Sequence, residues 1–223
     1  MNWLKTLDAA RRLAAVAGII VGGVVYNYVV WHAANWAWRA GLHFYASDLI
    51  TADALRDGIH FFVLLIAILM FTAYAGVGRP RIRDAGWPLA GYGVLAVLAL
   101  VAVLLTHAGT SFTNPFAGRG PFFFTLGPAA WELLWPGLAY GFAVAAAEPL
   151  LTDFRHQLLI LLLAVAGATY YIPVFVGMRP YDMVAFVGVT CVINFLSFQL
   201  RRRTGSVWLG MAGHLIVNFI LTW

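Results

Sequence analysis

Runs of about 17–25 apolar residues recur along this chain, and no other feature restricts its fold as strongly. A helix of this length crosses the hydrocarbon layer of a bilayer with all its backbone hydrogen bonds made internally. Hydrophobic residues make up 62% of the 223 positions and charged residues 10%, against about 25% charged residues in an ordinary soluble domain. So few charges exclude a soluble enzyme and a disordered tail, and a single cysteine excludes a disulfide scaffold. The sequence predicts an all-α, polytopic membrane helix bundle with one domain over 1–223.

Seven apolar runs are long enough to span the bilayer, so we expect about seven transmembrane helices. They lie at about 12–34, 59–77, 87–107, 121–149, 157–178, 183–200 and 206–223. The fourth run is long and contains Pro128 and Pro136, which predict either a kink or a part that lies outside the bilayer. Residues 1–11 combine apolar and charged positions and are expected to form a short interfacial helix before the first span.

The basic residues predict the orientation of these spans, because cytoplasmic loops are enriched in lysine and arginine. With the N-terminus inside, ten basic residues fall on the cytoplasmic side: Lys5, Arg11, Arg12, Arg79, Arg81, Arg83, Arg155, Arg201, Arg202 and Arg203. Four fall outside: Arg39, Arg56, Arg119 and Arg179. This split predicts an N-terminus inside and a C-terminus outside. Positive charge at the ends of apolar runs indicates membrane topology rather than nucleic-acid binding, so the bilayer is the expected partner.

The use of alanine, arginine and glycine, with one lysine against thirteen arginines, favours a bacterial inner membrane. A few polar side chains lie where lipid-facing residues are expected. Glu132, Asn194, His214 and Asn218 each fall inside an apolar run, where polar groups usually face a protein interior or a water pocket.

His214 and Asn218 are four residues apart and share one helix face. Such a pair forms either a packing contact linked by hydrogen bonds or two donors to a developing oxyanion.

The residues from Leu196 to Asn218 read LSFQLRRRTGSVWLGMAGHLIVN. This basic R-T-G-S-x-W turn followed by H-x-x-x-N resembles a signature of the CPBP family of CAAX proteases and bacteriocin-processing (Abi) membrane proteins. The residues WELLWPG, from Trp131 to Gly137, resemble E-E-x-x-F-R-G and place Glu132 at 82 positions before His214. The resemblance covers the region 121–223.

The resemblance implies a candidate remnant site with three degenerate positions. In the family, the first glutamate and a histidine of a middle signature activate a water, while the last histidine and asparagine stabilise the oxyanion. The oxyanion pair is carried over as His214 and Asn218. Trp131 stands at the first glutamate, Pro136 at the arginine and Tyr171 at the middle histidine. Indole is no base, and tyrosine is a poor one at neutral pH.

Three functions stay open at this stage. The first is a catalytically disabled member of the family that binds a membrane-protein partner or assembles a complex. The second is a divergent intramembrane endopeptidase that cleaves a membrane-anchored peptide with Glu132, His214 and Asn218. The third is a small subunit of a respiratory or photosynthetic complex, with His214 as a haem or chlorin ligand. The first two interpretations require neither a metal nor a cofactor, and we predict none.

Overall fold

In a computed structural model of the chain, residues 3–40, 52–109, 121–169 and 180–221 are described, and their regular elements are all helical. The prediction of an all-α chain is therefore confirmed. The α-helices are α1 (Ala9–Arg39), α2 (Ala52–Met70), α3 (Thr72–Ala75), α4 (Gly86–His107), α5 (Pro121–Glu132), α6 (Tyr140–Ala147), α7 (Asp153–Thr169), α8 (Pro180–Thr204) and α9 (Trp208–Leu221). Short 3-10 turns cover Trp3–Thr6, Ile82–Asp84 and Glu148–Leu150.

Three of the described helices are long and apolar enough to cross a membrane. They are Ala9–Ala37 of α1, Gly86–His107 and Met183–Thr204 of α8, at the first, third and sixth predicted spans. Two further apolar helices, Gly58–Met70 and Trp208–Leu221, are shorter. These helices are compatible with an integral membrane protein, whereas the number of seven spans stays a prediction.

The outer surface of α4 is apolar, as lipid contact requires. Five aliphatic side chains on this helix are 45–61% exposed: Val94, Val97, Leu98, Val101 and Leu104. An exposed apolar surface of this kind is unusual on a soluble monomer. It therefore belongs against lipid or another membrane protein.

The fourth predicted span is one helical path with an irregular middle. Between α5 and α6, residues Leu133–Ala139 form a π-helical segment that contains Pro136. Proline has no backbone N–H to donate, so it disturbs the regular α-helical pattern. The expected distortion is found at Pro136, while Pro128 lies within α5.

The π-helical segment lies at the centre of the packing. All seven of its residues are buried, and the Trp135 side chain is fully enclosed. The Trp135 ring packs on Gly23 of α1, where an added Cβ would lie 2.9 Å from the ring. The segment thus sits inside the helix bundle next to the candidate site, which begins at the preceding residue.

Most of the basic residues assigned to the cytoplasmic side gather at one end of the bundle. Contacts at this end include the Lys5–Glu148 and Arg202–Asp153 ion pairs, both at 2.7 Å, and 3.2 Å hydrogen bonds from Arg201 to the Tyr74 carbonyl and from Arg81 to the Arg203 carbonyl. We call it the basic end. It holds the start of α1, the connection between α3 and α4, the connection between α6 and α7, and the turn between α8 and α9.

The N-terminal segment, expected as an interfacial helix over 1–11, contains a 3-10 turn at Trp3–Thr6, and α1 begins at Ala9. Leu4 is 2% exposed and packs with Ala145 and Ala146 of α6, which anchors the turn on the bundle. Trp3 beside it is 51% exposed. The interfacial location stays a prediction.

Candidate functional site

The Glu132 side chain ends inside the bundle, next to α8 and α9. Glu132 closes α5, immediately before the π-helical segment, and is 0% exposed. Its Oε1 atom accepts a hydrogen bond from Ser197 Oγ at 2.6 Å and another from His214 Nδ1 at 3.0 Å. Two hydrogen bonds to a single carboxylate oxygen join α5, α8 and α9 at one point.

A tyrosine extends this network to a fourth helix. The Tyr92 hydroxyl on α4 forms hydrogen bonds with Ser197 Oγ and with the Ile193 carbonyl. The one hydroxyl proton of Ser197 goes to Glu132. The one proton of Tyr92 is then shared between Ser197 Oγ and the Ile193 carbonyl in a three-centre hydrogen bond. We call Tyr92, Glu132, Ser197 and His214 the four-helix network.

Glycines of α9 allow the network to form at such close range. A Cβ at Gly210 would lie 2.9 Å from Glu132 Oε2 and 3.0 Å from Ser197 Oγ. A Cβ at Gly213 would lie 2.6 Å from the Tyr92 ring. Small residues commonly permit this close approach between membrane helices.

Trp131, beside Glu132, belongs to a second polar cluster. Its indole Nε1–H donates to Asn194 Oδ1 at 2.6 Å, and Asn194 Nδ2 donates to the Ala164 carbonyl at 3.2 Å. Gly167 of α7 faces this pair, since a Cβ there would lie 2.7 Å from Asn194 Nδ2 and 3.3 Å from the Trp131 ring. The indole therefore fills the space beside Asn194 and ties α5 to α8.

The structure places the other predicted site residues as follows. Asn218 is buried one helical turn beyond His214 on α9. Pro136 lies in the π-helical segment. Tyr171 lies outside the described residues. Of the predicted site residues, Glu132 and His214 are brought into direct contact.

This contact changes what His214 can do chemically. Its Nδ1–H is directed at Glu132, so that nitrogen is not available to donate to an oxyanion. If the ring is neutral with Nδ1 protonated, Nε2 is an acceptor rather than a donor. The second oxygen of the carboxylate, Glu132 Oε2, accepts no hydrogen bond from the described residues.

Sequence reasoning missed Ser197 and Tyr92. A signal for Ser197 was present, because it follows Asn194 by three positions and so shares its helix face. Tyr92 gave no comparable signal, since its partner is 105 positions away.

Another histidine inside the bundle, His60 of α2, is 6% exposed and stacks on Tyr26 of α1 with ring centroids 5.5 Å apart.

In the described part of the chain, no group of three or more His, Cys, Asp or Glu side chains is arranged to hold a metal ion. Comparisons with known proteins give no identification. No family model matches the chain, and neither a curated protein nor a solved structure matches it.

Proposed function

We propose that this chain is a catalytically disabled, CPBP-like integral membrane protein that acts as a binding or complex-assembly subunit. The observation that carries the proposal is the enclosure of Glu132, whose 0% exposed carboxylate is bonded to Ser197 and His214. A hydrolytic base must reach both a water and a substrate bond. A carboxylate held in this way acts instead as a connector between helices.

The neighbouring cluster supports the same proposal. The Trp131 indole occupies the position where the resemblance implies a water-activating glutamate, and it is bonded to Asn194 rather than open to solvent. Losing a general base typically lowers a rate by about 10²–10⁴-fold. Of the two positions where the resemblance implies a water-activating group, Trp131 is engaged in this hydrogen bond and the other carries Tyr171 in place of histidine.

We further propose seven spans with the N-terminus inside, in a bacterial inner membrane. Successive long helices begin and end alternately at the basic end, as helices that cross one bilayer in turn must do, and this gathers the basic residues on one side. Reporter fusions after residues 40, 109 and 169 test this topology, since all three fall on the outer side of the proposed arrangement.

The proposed partner is another membrane protein, and the surface offered to it is α1. Within Ala9–Ala37, 11% of the residues in the most apolar stretch are buried inside the chain. Trp36, at 73% exposed, and Val21, at 60%, lie on this surface. α1 packs on α2 and α6 along one side only, so most of its apolar surface is left for lipid or for a partner helix.

The absence of catalysis is tested by identifying new peptide N-termini in the membrane fraction of cells. Cells expressing the wild-type chain, Glu132→Gln or Glu148→Gln are compared with cells lacking the chain. Glu148 is the matched control, because its side chain is 55% exposed and lies at the basic end. Each sample is normalised to its amount of folded protein. The expected result is that all samples, including cells lacking the chain, share one set of N-termini. A product lost in Glu132→Gln and kept in Glu148→Gln overturns the proposal.

A second candidate function, a divergent intramembrane endopeptidase, is favoured by one observation. Glu132 Oε2 is buried and accepts no hydrogen bond from the described residues, and a buried polar atom of this kind is often satisfied by water. In that case Glu132 would be the base for a water at Oε2. The experiment above separates the two candidates, since this one requires a Glu132-dependent product.

A further inference from the structure

A cleft of about 490 Å³ opens at the basic end, away from the four-helix network. Its charged and hydrogen-bonding lining includes Lys5, Tyr140, Glu148, His156, Arg201 and Arg202. We call these six residues the basic cleft. They come from the N-terminal turn, from α6 and the turn after it, from α7 and from α8, so the cleft exists only when the bundle is assembled.

The cleft carries an excess positive charge. Lys5 is paired with Glu148 at 2.7 Å, and Arg202 is paired with Asp153 at the same distance. These contacts balance the two nearby carboxylates. Among the ion pairs of the described chain, none includes Arg201. Of the three cations that line the cleft, Arg201 is therefore the one without a carboxylate partner among the described residues.

Arg201 is held in place by backbone groups. Its guanidinium donates to the Tyr74 carbonyl at 3.2 Å and to the Gly205 carbonyl. It lies flat against Gly76, where an added Cβ would overlap the guanidinium and where φ is +65°. Its Nε is buried and has no acceptor in the described residues. A partly buried guanidinium without a carboxylate partner attracts an anion that can accept hydrogen bonds.

Two further side chains are positioned beside Arg201. The Tyr140 hydroxyl and His156 Nε2 are hydrogen-bonded at 2.7 Å, and their rings stack with centroids 5.8 Å apart. In the neutral tautomer in which Nε2 accepts from Tyr140, Nδ1 carries the proton and is a further donor. The lining therefore combines guanidinium, ammonium and imidazole donors, and guanidinium groups match the geometry of phosphate oxygens.

We propose that the basic cleft binds an anionic phosphate group, with Arg201 as its main contact and Lys5 and Arg202 as supporting charges. Two sources carry this chemistry: the headgroup of an anionic phospholipid and a soluble phosphate. The cleft lies where α1 begins and the apolar stretch of α8 ends at Thr204, which is the depth of lipid headgroups for a spanning helix. Binding there would tie the N-terminal turn to α7 and α8.

Calorimetric titration of the full chain in neutral detergent tests the proposal. The probes are short-chain phosphatidic acid, short-chain phosphatidylcholine and inorganic phosphate. The variants are Arg201→Gln and the matched control Arg203→Gln, which makes the same charge change two positions along α8 at an exposed residue outside the cleft. We expect phosphatidic acid to bind the wild type and Arg203→Gln alike, and Arg201→Gln about tenfold more weakly.

A second variant keeps the test valid if Arg201→Gln does not fold. Arg202→Gln removes the ion-pair partner of Asp153, whose side chain is 96% exposed. Because this carboxylate stays in contact with water, we expect the variant to fold. Its freed carboxylate weakens phosphate binding by repulsion.

Binding of inorganic phosphate with the same dependence on Arg201 or Arg202 supports the phosphate site and assigns a soluble ligand. Binding of phosphatidic acid alone assigns a lipid. Equal binding of phosphatidic acid and phosphatidylcholine, or equal loss in Arg202→Gln and Arg203→Gln, overturns the proposal.

Discussion

Glu132 and His214, 82 positions apart, meet inside the bundle with Glu132 Oε1 3.0 Å from His214 Nδ1. The same oxygen also accepts the Ser197 hydroxyl. Breaking a buried polar network by removing one member leaves its partners unsatisfied, which is more costly than never forming the bond. Substituting any one member of the four-helix network should therefore lower the free energy of unfolding.

Gly210→Ala should destabilise the bundle by about 1–3 kcal/mol, the usual range for overpacking a tight core. The added methyl group would lie 2.9 Å from Glu132 Oε2 and 3.0 Å from Ser197 Oγ. Both side chains are buried and hydrogen-bonded to each other, so their ends have little room to move away. Unfolding in mixed micelles of SDS and neutral detergent measures the effect.

The matched control is Gly93→Ala on α4, where nothing lies within 4 Å of the added Cβ. This variant should be unchanged or more stable, because alanine is favoured over glycine in helices by about 0.5–1 kcal/mol. Equal losses of unfolding free energy in Gly210→Ala and Gly93→Ala would contradict the close packing of α9 against Glu132.

Tyr92→Phe and Ser197→Ala should show a coupling free energy in a double-mutant cycle. Their hydroxyls are hydrogen-bonded to each other, and the Ser197 hydroxyl donates a hydrogen bond to Glu132. Hydrogen bonds between membrane helices contribute about 0.6 kcal/mol on average and up to about 1.7. Additive losses, within about 0.3–0.5 kcal/mol, would mean that the two hydroxyls act independently.

Much of the architecture followed from the hydrophobic pattern. The apolar runs predicted helices, and three of them are long enough to cross a membrane. Pro136 marked the position of the π-helical segment, because a missing N–H is visible in the sequence.

The site was less accessible to sequence reasoning. Glu132 and His214 were candidates because polar residues are rare inside apolar runs. The Tyr92–Ser197 and Trp131–Asn194 bonds depend on how α4, α5 and α8 pack, and no local pattern encodes that packing. The Lys5–Glu148 pair likewise joins residues 143 positions apart.

Trp131→Phe should destabilise the chain by about 1–2 kcal/mol, because Asn194 Oδ1 loses its buried donor. Trp87→Phe is the control, since Trp87 is 48% exposed and its indole has no hydrogen bond within the described chain. Unfolding curves of both variants in the same micelles test this prediction. A larger loss in Trp87→Phe would contradict the assigned role of the indole.

The stability of the chain should fall as the pH decreases, because His156 takes up a proton more readily in the unfolded chain. Burial, followed by the Arg202 charge, lowers its pKa below the ordinary value of 6.5, and Asp153 offsets this in part. The unfolded chain then binds the proton more readily than the folded chain. The His156 contribution is complete above pH 6.5 and is lost as the pH falls below that value.

Unfolding of the wild type and His156→Gln at about pH 7.5 and about pH 5.5 measures this contribution. The variant should lose less stability on acidification than the wild type. An equal or greater loss in the variant would show that His156 does not account for the acid sensitivity.

The central claim is that Glu132 connects helices and does not catalyse a reaction, and the unfolding free energy of Glu132→Gln tests it most directly. The amide keeps the size of the carboxylate but replaces one acceptor oxygen with a donor. It should lower stability by about 1–3 kcal/mol, and Glu148→Gln at the exposed control position should change it by less than about 0.5–1 kcal/mol. Removing a catalytic group more often stabilises an enzyme. A Glu132→Gln chain as stable as the wild type, or more stable, would contradict the claim.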